Sequence, residues 1–117
     1  METTIRGFHA HVYYDGEETR EIAAKIRLHV EQNFNVVMGR WRDQPVGPHP
    51  RPMFQIAFQP VLFDQLVPWL MLNREGLTIL VHPETGNDVA DHRDFPLWLG
   101  EKLELDISFL EAGNTSA

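Results

Sequence analysis

Histidine is the side chain best suited to binding a metal or moving a proton near neutral pH, and this chain of 117 residues carries six of them. His9 and His11 alternate within Phe8-His9-Ala10-His11-Val12-Tyr13-Tyr14. On an extended strand both imidazoles therefore leave the same face. Side chains two residues apart on a strand are about 6.6 Å apart. Rings at that spacing can lean together onto one atom about 2 Å from each nitrogen, the length of a metal–imidazole bond. His82 lies in another apolar segment and can supply a third direction from a neighbouring strand. His49 sits in Gly47-Pro48-His49-Pro50, a loop feeding a further strand, and meets the same end of the sheet if the topology is as read below. Asp88, Asp91 and His92 come just after His82 and could fold over the site.

Each of these features also has a plain structural reading. An open sheet face carries polar residues simply because it is wet. Strands nonetheless favour β-branched and aromatic residues, so two alternating imidazoles need a reason. His29, beside core positions of a helix, reads as structural. Trp69 and Trp98 read as packing residues. Pro83 to Asp88 reads as a turn, and Asp91-His92-Arg93-Asp94 as a solvated charge cluster. Arg40, Arg42 and Arg51 flank a Pro-rich loop and read as surface cations. No Gly-rich phosphate loop and no Ser-His-Asp signature is legible.

The elements that must position the histidines follow from hydrophobic period. Residues 5–14 alternate, with Phe8, Ala10 and Val12 opposite His9, His11 and Tyr13, which predicts a half-buried strand. A helix is predicted from about 17 to 33, with Ile22, Ile26 and Val30 as its buried stripe. Asp15 and Glu18 suggest a capping box at its start. Residues 35–41 read as a second strand, and 43–52, with four prolines and a glycine, as a loop. Residues 53–58 alternate as a third strand. Residues 61–73 read as a second helix, with Phe63, Leu66 and Leu70 on one face, Pro68 inside it and Gly76 closing it. Residues 77–82 make a fourth strand. Residues 83–100 are a long polar segment, and 103–110 a last strand or extended tail.

This order is β-α-β-β-α-β with a C-terminal extension, an α+β, ferredoxin-like antiparallel sheet with both helices on one face. In that topology the first and third strands are central, and the fourth is the edge neighbour of the first. The helix-facing set is Phe8, Ala10, Val12, Phe54, Ile56, Phe58, Ile79 and Val81. His9, His11, Gln55, Leu80 and His82 share the other face.

Composition limits the function classes. The length suits one domain, residues 1–117. Hydrophobic residues make up 43% and charged residues 23%, as in an ordinary globular chain. A formal charge of −7 without a basic stretch disfavours nucleic acid, which needs a cationic face. There is no cysteine, which excludes disulfides, thiolate metal sites and a Cys nucleophile. No signal peptide is visible, and the longest apolar stretch is broken by Asp64, Gln65 and Pro68, too polar to span a membrane. The chain reads as cytoplasmic.

Three segments taken together resemble the DOPA 4,5-dioxygenase family. They are Phe8-His9-Ala10-His11-Val12-Tyr13-Tyr14, Gly47-Pro48-His49-Pro50, and Leu80-Val81-His82-Pro83-Glu84-Thr85-Gly86 with Asp91-His92 and Trp98-Leu99-Gly100. The resemblance runs from about residue 8 to residue 110. It implies a ferredoxin-like fold and extradiol cleavage of a catechol such as L-DOPA by dioxygen. That chemistry calls for a metal with open positions, and non-haem Fe(II) with His and carboxylate ligands provides them. On this resemblance His9, His11 and His82 lie near the metal, with Glu84 or Asp88 as a possible carboxylate. His49 serves as acid–base or supporting residue, and His11 and His49 count as catalytic. Two rivals stand beside it: a non-catalytic ferredoxin-like protein binding a metal or small molecule, and a metal-free acid–base enzyme using the same histidines. A sheet face without helices, carrying Met53, Ala57 and Leu80, further suggests a homodimer. It also suggests that its histidines can be replaced at little cost in stability.

Overall fold

The computed structural model describes residues 3–115. The chain runs β1 (Gly7–Tyr13), α1 (Glu17–Asn33), β2 (Val37–Met38), β3 (Met53–Phe58), α2 (Phe63–Asn73), β4 (Ile79–Glu84), α3 (Asp88–Arg93), β5 (Leu97–Leu99) and α4 (Ile107–Glu111). A 3-10 turn at Pro60–Leu62 leads into α2. The five strands form one antiparallel sheet in the order β2-β3-β1-β4-β5. The predicted α+β, ferredoxin-like arrangement is therefore present, with one strand more than expected. β5 covers the outer side of β4, which is not the edge. Pro83 fits inside β4 because β5 pairs only with Ile79–Val81 and leaves the outer side of β4 open beyond them.

Both long helices cover one face. Ala23, Ile26 and Val30 of α1 and Leu66, Val67 and Leu70 of α2 pack on Ala10, Val12, Phe54, Ile56, Phe58, Ile79 and Val81. These helix positions recur at the three- and four-residue spacing of one stripe. The expected capping box at the start of α1 is absent. The helix begins at Glu17 after Gly16, whose φ is 93°, so Asp15 lies one position too early to cap. Instead the Asp15 backbone N–H donates to Thr19 Oγ1 at 2.6 Å.

The other face differs from the expectation of an open surface. Tyr13, Met53, Leu80 and Leu103 form a second buried cluster, with Val46, Trp98 and Leu105 against it. The layer comes from the loop before β3, from α3, and from the chain after β5. The last segment is not a strand: it is extended and then turns into α4. Asp106 N–H donates to the Pro48 carbonyl at 2.9 Å, tying the C-terminal segment to the loop that carries His49. Alternation reported correctly that the two faces differ. It could not report that the more polar face is covered, because a cover made of irregular chain has no period. Met53 and Leu80, which suggested a homodimer, are thus buried within the chain itself. No helix among the described residues is long and apolar enough to cross a membrane.

Leu80 separates the two pictures. It is fully buried, so Leu80→Ala should destabilise the protein by about 2–5 kcal/mol in urea unfolding. An exposed face would give a change within about 0.5 kcal/mol.

Candidate functional site

Five histidines meet under this second layer. β1 delivers His9 and His11 on one face, two residues apart, and the antiparallel register sets His82 of β4 directly opposite His9. His49 is placed by a tight turn in which its N–H donates to the Val46 carbonyl at 3.0 Å, with Gly47 at φ 58°. α3 lowers His92 onto the group. The ring centroids of His82 and His92 are 4.0 Å apart, those of His11 and His49 4.1 Å, and those of His11 and His82 5.1 Å. The sixth histidine, His29, lies in the helix layer and stacks on Trp69 at 4.2 Å, as a structural residue should.

His11, His49, His82 and His92 are buried. His9 stands at the opening, with its side chain 21% exposed. It lines a cleft of about 370 Å³ with Glu84, Arg6 and Gln59. His9 Nδ1 is 3.0 Å from Glu84 Oε1, although the pair is not aligned as a hydrogen bond. Burial, then the nearby Asp88 and Asp91 carboxylates, push Glu84 up to about 7. Asp91, expected in a solvated cluster, is buried and accepts the Thr85 N–H at 2.9 Å. That bond pins α3 to the end of β4 and so holds His92 in place.

The nitrogen partners show which lone pairs are free. His82 Nδ1–H donates to the Pro83 carbonyl at 3.0 Å, and His92 Nδ1–H donates to the Asp88 carbonyl at 2.7 Å. A carbonyl can only accept, so both rings carry their proton on Nδ1 and turn an Nε2 lone pair inward. His92 Nε2 has no hydrogen-bond partner among the described residues. His82 Nε2 faces His11 Nε2 at 3.0 Å. Metal-binding histidines are held in this way, one nitrogen fixed by a backbone carbonyl and the other free. The 3.0 Å separation also suits one ion. Two nitrogens each about 2.1 Å from a metal are about 3 Å apart when they subtend a right angle there. Two triads place one potential ligand atom each within 4.8 Å of one another, His9–His11–His82 and His11–His49–His92, and Glu84–Asp88–Asp91 forms a carboxylate group beside them. The residues therefore fit a divalent metal with imidazole and carboxylate ligands.

The structure brings together every residue that the sequence singled out for the site. His92, expected to fold over the site, is carried there by α3. The structure adds one other residue, Tyr13, legible only as the next position on the His9–His11 face. Its hydroxyl lies 2.7 Å from His49 Nδ1. One expectation fails: His11 and His82 are fully buried, so they are not cheap surface positions.

Burial also sets the charge state. It is the largest cause holding every site histidine below its ordinary value, His9 at about 4 and His49 at about 3. Burial and neighbouring imidazoles hold His11 and His82 well below that value. For His92 the Asp88 carbonyl and nearby carboxylates offset part of the effect. The unfolded chain binds protons on these rings near pH 6.5, where the folded one does not. Their stabilisation is therefore complete above that pH and is lost as the pH falls toward 4. Glu84, raised when folded, acts with the opposite sign between 4.5 and about 7, but it is one group against five. Each proton taken up on unfolding contributes about 1.4 kcal/mol per pH unit. Urea unfolding of the metal-free protein should show stability dropping steeply from pH 7 to 5. A flat profile would mean that the histidines are solvated.

Known proteins resemble this chain over most of its length. Residues 8–109 match the Dopa 4,5-dioxygenase family. An uncharacterised 21.2 kDa protein of Botryotinia fuckeliana is 32% identical over 123 residues, covering 95% of this chain and 67% of that protein. A DOPA 4,5-dioxygenase of Amanita muscaria is 29% identical over 118 residues, covering 94% of this chain and 52% of that one. The chain thus spans about two-thirds and about half of these relatives. A crystal structure of a Nostoc punctiforme protein, described provisionally as a dioxygenase, is 56% identical with a TM-score of 0.91 and covers 94% of this chain and 95% of its own. Since the family match takes in all five clustered histidines and nearly the whole fold, this chain belongs to the Dopa 4,5-dioxygenase family, a family of oxygenase enzymes.

Proposed function

We propose that the protein is an extradiol-type dioxygenase that opens a catechol ring, such as that of L-DOPA, with dioxygen and divalent iron. The observation that carries this reading is the buried His11–His82 pair, with Nε2 atoms 3.0 Å apart and the far nitrogen of His82 fixed by a main-chain carbonyl. The Amanita muscaria relative's name supplies the substrate class. In this reading His9, His11 and His82 would hold the metal, and Glu84, 3.0 Å from His9 Nδ1, is the carboxylate beside them.

Iron held there would supply open positions at which a catechol and dioxygen can meet. The chain's own residues account for the rest. The cleft lined by His9 and Glu84 admits a flat ring from the sheet end. A carboxyl poised at about 7 can accept a catechol hydroxyl proton at neutral pH. The buried imidazoles stay neutral, so they leave their lone pairs available. α3 and the C-terminal segment exclude water from the inner side of the cluster, which strengthens every polar contact there. His49, the proton-handling residue of this reading, packs on His11 from the loop, with ring centroids 4.1 Å apart. Cleavage beside the diol adds both atoms of dioxygen and leaves a ring-opened semialdehyde, which is yellow.

The test is anaerobic purification, loading with Fe(II), and a turnover assay on L-DOPA and a small panel of catechols. A yellow product formed only with oxygen is expected. His11→Ala and His82→Ala should each lose bound iron and turnover, while His29→Ala keeps both. The two site variants should also lose about 1–3 kcal/mol of stability, because each leaves a buried polar partner unmatched. Full activity in both variants would overturn the site. Iron binding without turnover on any catechol would leave a metal-binding protein instead of an enzyme.

A further inference from the structure

Tyr13 is a buried phenol that the proposed reaction does not yet use. It lies on the site face of β1, two residues beyond His11, with its ring stacked near Trp98 at 6.3 Å. The only hydrogen-bond partner of its hydroxyl among the described residues is His49 Nδ1, at 2.7 Å. His49 Nε2 is buried and has no partner among those residues.

Two proton arrangements are open to this pair. In the first, His49 Nδ1–H donates to the phenol oxygen. The hydroxyl hydrogen then has no acceptor, and the Nε2 lone pair is also unmatched. In the second, the hydroxyl donates to Nδ1, and only the Nε2–H is left for another group. Each unmatched buried polar atom costs about 1–3 kcal/mol, so the second arrangement wins. A tyrosine hydroxyl ordinarily keeps its hydrogen near neutral pH, so it is there to donate. The side-chain partner of buried His49 is this hydroxyl and not a carboxylate, so nothing there favours a second proton on the ring.

We infer that Tyr13 is a positioning residue. By donating to Nδ1 it fixes the His49 proton on Nε2, and His49 then acts in the histidine cluster as a hydrogen-bond donor and not as a metal ligand. The contrast lies within one cluster. Main-chain carbonyls hold the proton of His82 and His92 on Nδ1 and free their Nε2 lone pairs. A hydroxyl does the reverse to His49. His82 and His92 thus offer lone pairs and His49 a donor, according to what stands behind each of these three rings. The tautomer follows from hydrogen bonding alone. Its catalytic meaning, an N–H aimed at an oxygen that gains negative charge, rests on the ring-cleavage reading above.

The direct test is long-range proton–nitrogen NMR across each imidazole in the isotope-labelled full chain, metal-free and again loaded with zinc(II). His49 should show hydrogen on Nε2 and a bare Nδ1, and metal-free His82 and His92 the opposite. Tyr13→Phe, which keeps the ring, should let the His49 hydrogen populate Nδ1 as well. Hydrogen on His49 Nδ1 in the wild type would overturn the inference, even if the variant failed to fold. So would an unchanged His49 signature in a folded Tyr13→Phe protein. With Fe(II), Tyr13→Phe should keep its iron content and its KM for the catechol while kcat falls by about tenfold. Loss of iron in step with kcat would show that Tyr13 merely supports the metal centre. If the wild type turned over no catechol, the function proposed above would fail, and the spectrum would still decide the tautomer.

Discussion

The pairing register of β1 with β4 is the constraint on which the rest depends. It sets His9 opposite His82, His11 opposite Leu80, and Ala10 opposite Val81. Side chains alternate strictly along a strand, so a slip of one residue would carry every one of them to the other face. The histidines would then enter the apolar layer under α1 and α2, and Val12 and Ile79 would enter the site. The large apolar set on the helix side opposes that slip. The helix-side core therefore specifies the geometry of the histidine side without touching it.

The second layer turns a polar sheet face into an interior. Its parts are short and irregular, so tertiary contacts must hold them. Asp43 accepts from Tyr14 and from Arg20 at the start of the loop, and Arg20 lies over the Trp41 ring at 3.9 Å. The loop's far end is held by the Pro48–Asp106 bond. Asp91 fastens α3 to the chain just after β4. Each of these contacts lies outside the histidine cluster, and each fixes the position of a segment that delivers or covers an imidazole.

Gathering five imidazoles, four of them buried, in so small a protein has a consequence for both stability and chemistry. A charged ring in this space would be poorly solvated, so the cluster is neutral where free histidine would begin to protonate. Neutral rings are the form that binds metal. The same burial leaves several ring nitrogens without hydrogen-bond partners among the described residues, a state that natural interiors seldom tolerate without a function. Glu84 and His9, at the mouth of the cleft, are the partly exposed members, which places proton exchange with solvent at one end of the site.

Much of this was legible in the chain itself. Alternation in three segments identified the strands and put His9, His11 and His82 on one face, because a period of two is a local property. The stripe at Ile26 and Val30 likewise identified α1. The resemblance of the histidine-bearing segments to a known family pointed to the chemistry. What local pattern could not decide was where irregular chain would go. β5 is three residues long, α3 six and α4 five, too short to carry a readable period. Their packing decided that β4 is not an edge, that the histidine face is buried, and that His92 joins the site. Ring tautomers were also beyond the sequence. They depend on whether a carbonyl or a hydroxyl lies behind each imidazole, and His49 finds its hydroxyl on Tyr13, 36 residues away in the chain. Only the folded structure brings the two together.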